Sequence, residues 1–260
     1  MSQLDGMVAV VTGAGPGIGR ASAIALGRAG ASVVVAARDV ERLTGLAAEV
    51  SAETGSGSDV LPLRVDLADA TSCRSLVEQV AAHFGRIDVL VNVATTGGDF
   101  TRIEDTDWDS WRQAFEVNVI GTLEVSRAAA GVMAQGGGGS IIQIGTFGTH
   151  ALPSGRARYI ATKQAMVTAS LTMAKELGRS NVRVNVVTPG FITGPSLDAM
   201  IESTAARTGE SAHEASQRLA ASSALGRHVE PADVAETVLF LAGPGARTIT
   251  GVELPVTAGR

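Results

Sequence analysis

A buried strand, a glycine-rich turn and the start of a helix follow one another in residues 8–20, VAVVTGAGPGIGR. Residues 7–11 are apolar and mostly β-branched, a composition typical of a strand buried on both faces of a sheet. Glycine stands at positions 13, 15, 17 and 19, and from Ile18 onward the apolar spacing becomes helical. Glycine permits a tight turn, and the free amides of a helix N-terminus attract phosphate. The stretch therefore predicts a site for a phosphate-bearing nucleotide.

The spacing of these glycines separates the turn from other nucleotide motifs. Gly13, Gly17 and Gly19 follow TGxxxGxG rather than GxGxxG, and no lysine follows Gly19 as it would in a P-loop. A glycine-rich turn that binds nothing is the alternative. Because the turn joins a strand to a helix, its context favours nucleotide binding.

Strand-like and helix-like segments alternate along the rest of the chain. Such alternation predicts an α/β fold, a parallel sheet with right-handed crossovers and helices on both faces. Together with the first strand, further apolar segments predict about seven strands, the others being 32–37, 59–65, 87–93, 140–145, 182–187 and 252–256. Helical spacing predicts helices from residue 18 and over 40–53, 69–84, 109–134, 158–177 and 231–242.

A single domain over residues 1–260 is the simplest organisation, because no proline-rich linker or charged run divides the chain. Residues 190–226 depart from the alternation, with helical spacing but few apolar side chains. Long connections in compact domains are usually functional, so we predict that this segment covers a substrate. A surface excursion without a role is the alternative.

Composition excludes several classes of protein. A net charge of −5 argues against binding to nucleic acid or to an anionic membrane. The N-terminal MSQLDGM does not resemble a signal peptide, and no apolar run approaches the ~20 residues of a membrane span, so we expect a cytoplasmic protein. The single cysteine allows no internal disulfide. His213-Glu214 begins like HExxH, but Gln217 replaces the second histidine, so no metal site is predicted.

The chain's only tyrosine, Tyr159, stands four residues before Lys163 in YIATK. In a helix such residues share a face. A free tyrosine has a pKa near ~10, and a cation ~4 Å away at an effective dielectric constant of ~20 supplies about 4 kcal/mol, enough to lower that pKa by about 3 units. The spacing therefore predicts that Tyr159 donates or accepts protons. A surface pair without function is the alternative, but the pair follows the fifth strand at the sheet edge where parallel sheets bind ligands.

These motifs, in this order, resemble those of the short-chain dehydrogenase/reductase family. The resemblance covers nearly the whole chain and rests on TGAGPGIG, Asn92, Asn118 in FEVNVIGT, Thr146 at the end of a strand, Tyr159 with Lys163, and Pro189-Gly190. It implies a Rossmann-type, doubly wound fold, a nicotinamide cofactor and hydride transfer between an alcohol and a carbonyl. It also implies a homotetramer built on the two long helices.

The resemblance assigns roles to four side chains. Tyr159 would be the general acid/base, and Lys163 would lower its pKa and hydrogen-bond the nicotinamide ribose. Asn118 would hold a water that relays the proton. Thr146 stands where the family has its catalytic serine, and it keeps the hydroxyl that can orient the substrate oxygen. Ser140, which begins the same strand about 20 Å away, is the weaker candidate. A structural role for Thr146 is the alternative, since threonine fits easily at the end of a strand.

The resemblance also implies which residues contact the cofactor: Gly13, Gly15, Gly17, Ile18, Gly19, Arg38, Asp66, Leu67, Asn92, Ala94, Tyr159, Lys163, Pro189, Gly190 and Ile192. At the end of the second strand Ala37 fills the position that is usually acidic in NAD-binding proteins, and Arg38 follows. Arginine can bind a 2′-phosphate, which favours NADP(H) and leaves NAD(H) possible. Asp39 could pair with Arg38 and weaken this preference. Asp66 would reach the adenine, or alternatively cap the next helix.

Two departures from the family pattern leave a second hypothesis open. The segment Asn92-Val93-Ala94-Thr95 replaces the family's NNAG, and Thr146 replaces its serine. The first hypothesis is an NAD(P)(H)-dependent oxidoreductase acting on a small alcohol or carbonyl compound, and the alternative is a catalytically weak or inactive nucleotide-binding protein. A sugar-nucleotide epimerase is disfavoured, since related epimerases are longer. His150, Arg156 and Arg158 flank the site, where a solvated loop is the simpler interpretation.

Overall fold

Seven parallel strands form one sheet in the order β3-β2-β1-β4-β5-β6-β7 in this computed structural model, which describes residues 3–54 and 59–260. Met1 and Ser2, which belong to the N-terminal stretch assessed above, lie outside the described residues. The strands are β1 Val8–Thr12, β2 Ser32–Ala37, β3 Val60–Arg64, β4 Val89–Asn92, β5 Gly139–Ile144, β6 Val182–Pro189 and β7 Glu253–Val256. The predicted doubly wound α/β sheet is confirmed.

Helices occupy the connections between the strands. They are α1 Ile18–Arg28, α2 Val40–Thr54, α3 Ala70–Phe84, α4 Trp108–Phe115, α5 Thr122–Gln135, α6 Gly148–Ala151, α7 Ala157–Leu177, α8 Pro195–Thr208, α9 Ala212–Ala221 and α10 Pro231–Ala242. A π-helical segment, Glu116–Gly121, joins α4 to α5. Of the helices in the described part of the chain, none has both the length and the apolar character that crossing a bilayer demands.

Both faces of the sheet are buried, which explains the continuous apolar runs. Along β1, Ala9 and Val11 pack into a cluster with α1, α2 and α10. Val8 and Val10 point to the other face and pack with α3 and α5. Side chains of a strand alternate between faces, so every position of a central strand must be apolar when helices cover both.

The predicted covering segment, residues 190–226, contains two helices with a small core of their own. Leu197, Ile201, Ala205 and Ala215 are buried between α8 and α9. The base of the segment is joined to residues near α10 by a parallel bridge between Ile192 and Val229. A role over the substrate stays a prediction.

The HExxH-like sequence has a structural role at the start of α9. The Glu214 carboxylate accepts a hydrogen bond from the Ser211 amide, and the Ser211 hydroxyl accepts one from the Glu214 amide. This reciprocal pair is a capping box, which satisfies free amides at a helix N-terminus. Across residues 3–54 and 59–260, no three His, Cys, Asp or Glu side chains come together in a group that could hold a metal ion.

Candidate active site

The glycine turn lies where the strand order reverses, between β1 and β4. The chain passes so close to itself here that a Cβ at Gly13 would lie 2.3 Å from the main-chain nitrogen of Ala94, and Gly13 has a φ of 70°. A Cβ at Gly19 would lie 2.4 Å from the carbonyl oxygen of Gly13. Gly13 and Gly19 are therefore required by packing and backbone conformation. Crevices at such reversal points are the ligand sites of open α/β sheets.

The outer part of the turn is open. A Cβ at Gly15 or Gly17 would meet no atom within 4 Å, and Gly17 has a φ of 94°. Helix α1 begins at Ile18 with no side chain capping its amides and no acidic residue in its first turn. An uncapped helix N-terminus beside open space at a strand-order reversal fits a pyrophosphate group.

Replacing Gly13 with alanine is expected to lower the free energy of unfolding by about 2 kcal/mol, because the new methyl group would collide with the backbone at Ala94 and a positive φ would be imposed on alanine. Urea unfolding monitored by circular dichroism measures the change. Gly15→Ala is the matched control, since its methyl group enters open space. Equal stability of Gly13→Ala and the wild type would contradict this account of the turn.

The adenosine side of the predicted site lies at the ends of β2 and β3. Arg38 is exposed, and the Asp39 carboxylate accepts a hydrogen bond from the Arg42 amide at the start of α2. Of the ion pairs among the described residues, none joins Asp39 to Arg38. Asp39 therefore forms no ion pair with Arg38 in this structure.

Asp66 and Leu67 follow β3. The Asp66 carboxylate accepts a hydrogen bond from the Ala68 amide at 3.1 Å, whereas the residue that caps α3 is Asp69, which accepts from Thr71. The alternative in which Asp66 caps the helix is therefore wrong, and its contact with adenine stays a prediction. Leu67 is buried.

Asn92, at the end of β4, ties three elements together. Its side-chain oxygen accepts a hydrogen bond from the Thr12 hydroxyl at 2.9 Å, and its amide donates to the Ser126 hydroxyl of α5 at 3.0 Å. The side chain is 3% exposed. Asn92 thus fixes the relative position of the two strand ends, and a contact of its own with a cofactor stays a prediction.

The single helix predicted over 109–134 is wrong, because a π-helical turn interrupts it between α4 and α5. Gly121 closes this turn against the chain after β3, where a Cβ would lie only 1.9 Å from the carbonyl oxygen of Leu67. π-helical turns inside α-helices occur frequently at functional sites. The interruption contains Asn118.

Four protein hydrogen bonds fill the capacity of the Asn118 amide. Its oxygen accepts from the Thr96 amide at 2.8 Å and from the Thr95 hydroxyl at 3.2 Å. Its nitrogen donates to the carbonyl of Thr96 and to the hydroxyl of Thr162 on α7, both at 2.9 Å. The side chain therefore joins the segment after β4 to α7, and the holding of a relay water by Asn118 stays a prediction.

Tyr159 and Lys163 both reach the end of β5 from α7. The phenol interacts with the hydroxyl of Thr146, two residues beyond the strand. Lys163 is 3% exposed, and its ammonium group donates a hydrogen bond to the carbonyl of Ile144 at 2.8 Å. Both side chains thus reach the same strand end, and their common role there stays a prediction. Ser140 lies elsewhere, with its hydroxyl bonded to the carbonyl of Leu241.

The electrostatics of the pair differ from the prediction. Burial raises the pKa of Tyr159, while the Arg156 guanidinium and a hydrogen bond with Thr146 lower it. Burial lowers the pKa of Lys163 to about 8. In this structure the cation that lowers the pKa of the phenol is therefore Arg156, because the Lys163 ammonium group is turned to the Ile144 carbonyl.

Pro189 ends β6, and Gly190 and Ile192 follow it. The carbonyl of Pro189 accepts a hydrogen bond from the Phe147 amide at 3.0 Å, which holds the ends of β5 and β6 together. A Cβ at Gly190 would lie 3.0 Å from the Cα of Thr257, so the chain passes closely there. Their predicted cofactor contacts stay predictions.

Three arginines near the site have roles that the sequence did not indicate. Arg158 is paired with Asp99, and Arg260 lies over the ring of Phe191 with its guanidinium carbon 4.0 Å from the ring centroid. Arg156 lies against the ring of Tyr159. The solvated-loop interpretation of Arg156 and Arg158 is therefore wrong. The only sequence signal was their position within three residues of the tyrosine.

Comparison with known proteins agrees with this geometry. A family model described as enoyl-(acyl carrier protein) reductase matches residues 13–260. An uncharacterised oxidoreductase of Methylorubrum extorquens is 39% identical, over 100% of this chain and 99% of that protein. A short-chain dehydrogenase/reductase of Aspergillus oryzae is 35% identical, over 98% of this chain and 95% of that protein.

Solved structures superpose along the whole chain. L-sorbose reductase of Gluconobacter frateurii, in complex with NADPH and L-sorbose, is similar with a TM-score of 0.92 and 30% identity, over 100% of this chain and 98% of that one. NAD⁺-bound xylitol dehydrogenase has a TM-score of 0.91 and 27% identity, over 99% and 100% of the two chains. With a matching family model, full-length relatives and the same fold, this chain belongs to the short-chain dehydrogenase/reductase family of oxidoreductases.

Proposed function

We propose that this protein is an NAD(P)(H)-dependent oxidoreductase that interconverts a small alcohol and the corresponding carbonyl compound. The observation that carries the proposal is at the end of β5, where the Thr146 hydroxyl interacts with the Tyr159 phenol and the buried Lys163 donates to the Ile144 carbonyl. The uncapped start of α1 and the open glycine turn lie at the same edge of the sheet, two strands away.

In this proposal the chain's own residues handle the proton and position the substrate oxygen. Tyr159 exchanges a proton with that oxygen as general acid/base. Thr146 orients the oxygen through its hydroxyl, which already faces the phenol. Because burial raises the pKa of Tyr159, the phenol is protonated at neutral pH and is ready to donate to a carbonyl oxygen.

The residues present fit a nicotinamide dinucleotide. Gly15, Gly17 and the amides at Ile18 would receive the pyrophosphate, and Lys163 would hold the nicotinamide ribose. When bound, this cofactor supplies or accepts the hydride.

We propose NADP(H) rather than NAD(H) as the preferred cofactor. Arg38 is exposed at the end of β2, and Arg64 stands beside it, since Ala37 is in register with Arg64 at the end of β3. Among the described residues no carboxylate pairs with either arginine. Two unneutralised guanidinium groups would attract a 2′-phosphate.

Arg38→Asp is expected to raise the KM for NADPH by about 10–100-fold, because a charged hydrogen bond contributes about 1.5–3 kcal/mol. The KM for NADH should change little. Steady-state kinetics with each cofactor measure the ratio. Arg179→Asp is the control with the same change of charge, since Arg179 lies just before β6 at the opposite edge of the sheet. An unchanged preference in Arg38→Asp would contradict the assignment.

The experiment that tests the activity is a panel of alcohols, aldehydes and ketones, run with NADH and NADPH in parallel. Cofactor turnover that is lost in Tyr159→Phe would support the proposal. Tight nucleotide binding without turnover across the panel would instead favour a nucleotide-binding protein without activity. The interaction of Thr146 with the phenol favours the enzyme, since the residue that replaces the family's serine keeps its hydroxyl at the reacting position.

The proposal also includes the domain organisation, the oligomeric state and the location of the protein. Residues 1–260 would act as one catalytic domain, with 190–226 covering the substrate. The homotetramer and the cytoplasmic location also stay predictions.

A further inference from the structure

The guanidinium group of Arg156 lies between two aromatic rings. Its guanidinium carbon lies 4.7 Å from the centroid of the Tyr159 ring and 4.8 Å from that of Phe100. Both distances are within the ~6 Å over which a cation and an aromatic face attract. Arg156 also donates a hydrogen bond to the carbonyl of Gly98.

The segment that carries Phe100 is fixed to the start of α7 by other contacts. The Thr101 amide donates to the carbonyl of Gly155 at 2.8 Å, and Arg158 pairs with Asp99 and donates to the hydroxyl of Ser110. The guanidinium group of Arg156 is therefore held in place from both sides and by its hydrogen bond.

The other charged or titratable groups around the phenol are neutralised or turned away. Arg158 is paired with Asp99, and the Lys163 ammonium group donates to the Ile144 carbonyl. His150 stacks on Phe147 and shares a hydrogen bond with the Thr149 hydroxyl. Within residues 3–54 and 59–260 no carboxylate pairs with Arg156. The Arg156 guanidinium group thus faces the ring of Tyr159 without a carboxylate paired to it in the described part of the chain.

We propose that Arg156 is a positioning residue that holds the ring of Tyr159 and stabilises its phenolate form. A positive charge at this distance acts more strongly on the anionic ring than on the neutral one. The direction agrees with the lowering of the pKa of Tyr159 by Arg156. The consequence for catalysis rests on the proposed function, but the coupling between the two side chains does not.

Because Tyr159 is the only tyrosine, its ionisation can be observed directly in the folded protein. The near-ultraviolet absorbance of phenolate then reports one residue, without cofactor or substrate. Arg156→Gln is expected to raise the midpoint of this titration by about 1 pH unit. Arg156→Lys should restore part of the shift, which a loss of packing alone would not explain. Arg179→Gln, with the same loss of charge at the opposite edge of the sheet, should leave the midpoint unchanged.

A second measurement covers the case in which the protein unfolds before the phenol titrates. Fluorotyrosine, which ionises at lower pH, would place one fluorine label at Tyr159, and fluorine NMR would follow its titration in protein shown to be folded by circular dichroism. The titration midpoint is again expected to be highest in Arg156→Gln, lower in Arg156→Lys and lowest in the wild type. Identical midpoints in the wild type and Arg156→Gln would overturn the inference.

Kinetics separate this inference from the proposed function. If Tyr159 is the general acid/base, the pH profile of kcat/KM should move with the titration midpoint in Arg156→Gln. A midpoint that moves while the kinetic profile stays fixed would support the role of Arg156 and contradict that of Tyr159. A profile that moves with an unchanged midpoint would contradict the role of Arg156.

Discussion

Replacing Tyr159 with phenylalanine is expected to lower kcat by about 10²–10⁴-fold, which is the usual contribution of a positioned general acid or base. The substitution removes one oxygen atom and keeps the ring that contacts Arg156. It also leaves the glycine turn and α1 untouched, so nucleotide binding should persist. The expected signature is therefore a protein that binds its cofactor and does not turn over.

Three measurements on Tyr159→Phe test whether the variant binds cofactor without turnover. Cofactor oxidation gives kcat, the fluorescence of bound NADPH gives affinity, and thermal unfolding gives stability, which should fall by about 1 kcal/mol or less with the loss of one hydrogen bond to Thr146. Thr146→Ser is the matched control, because it keeps the hydroxyl beside the phenol and should retain activity within about tenfold. Turnover by Tyr159→Phe at the wild-type rate would remove Tyr159 from the mechanism.

The fold could be predicted from the sequence because its strongest signals are local and repeated. Continuous apolar runs appear where helices cover both faces of a sheet, and β2 and α10 have the predicted ends. The glycine turn could be predicted for a related reason, since its strand, turn and helix are contiguous in sequence. The family resemblance assigns Thr146, Tyr159 and Lys163 to one site from the sequence alone.

The parts that sequence could not supply depend on contacts between distant segments. The π-helical turn before Thr122 has no compositional signal, and the close approach of its last residue, Gly121, to the Leu67 carbonyl joins segments that are far apart in sequence. A spacing of four residues placed Lys163 near Tyr159, but it could not show that the ammonium group turns to the Ile144 carbonyl. The position of Arg156 likewise depends on Phe100, which is more than fifty residues away in the chain.

Lys163 shows most clearly how the site is built at the expense of stability. The residue is 3% exposed, and among the described residues its ammonium group pairs with no carboxylate and has one hydrogen bond, to Ile144. The lowering of its pKa from 10.5 to about 8 corresponds to an unfavourable free energy of about 3 kcal/mol at neutral pH, at about 1.4 kcal/mol per pH unit. A buried cation that destabilises the fold is typical of a group that function requires.

Lys163→Met is therefore expected to lower kcat/KM by about 10²-fold while raising the free energy of unfolding at neutral pH by about 2 kcal/mol. The gain is smaller than the full cost of the buried charge, because the hydrogen bond to Ile144 is lost. The pH dependence of this gain in stability has a definite sign. The pKa of Lys163 is lower in the folded state, so between about 8 and 10.5 the unfolded chain binds more protons and wild-type stability rises with pH. The advantage of Lys163→Met should thus be largest below about pH 8 and shrink towards pH 10.5.

Urea unfolding of wild type and variant at about pH 7 and about pH 10 tests this sign. The chain offers a close control, because its only other lysine, Lys175, lies exposed on the same helix, α7. Lys175→Met removes the same charge and should change neither activity nor the pH dependence of stability. A destabilised Lys163→Met at neutral pH would mean that the ammonium group stabilises the fold, and the lysine would then have to be treated as a structural residue. A stabilised but inactive variant would instead show that this site keeps its cation for chemistry.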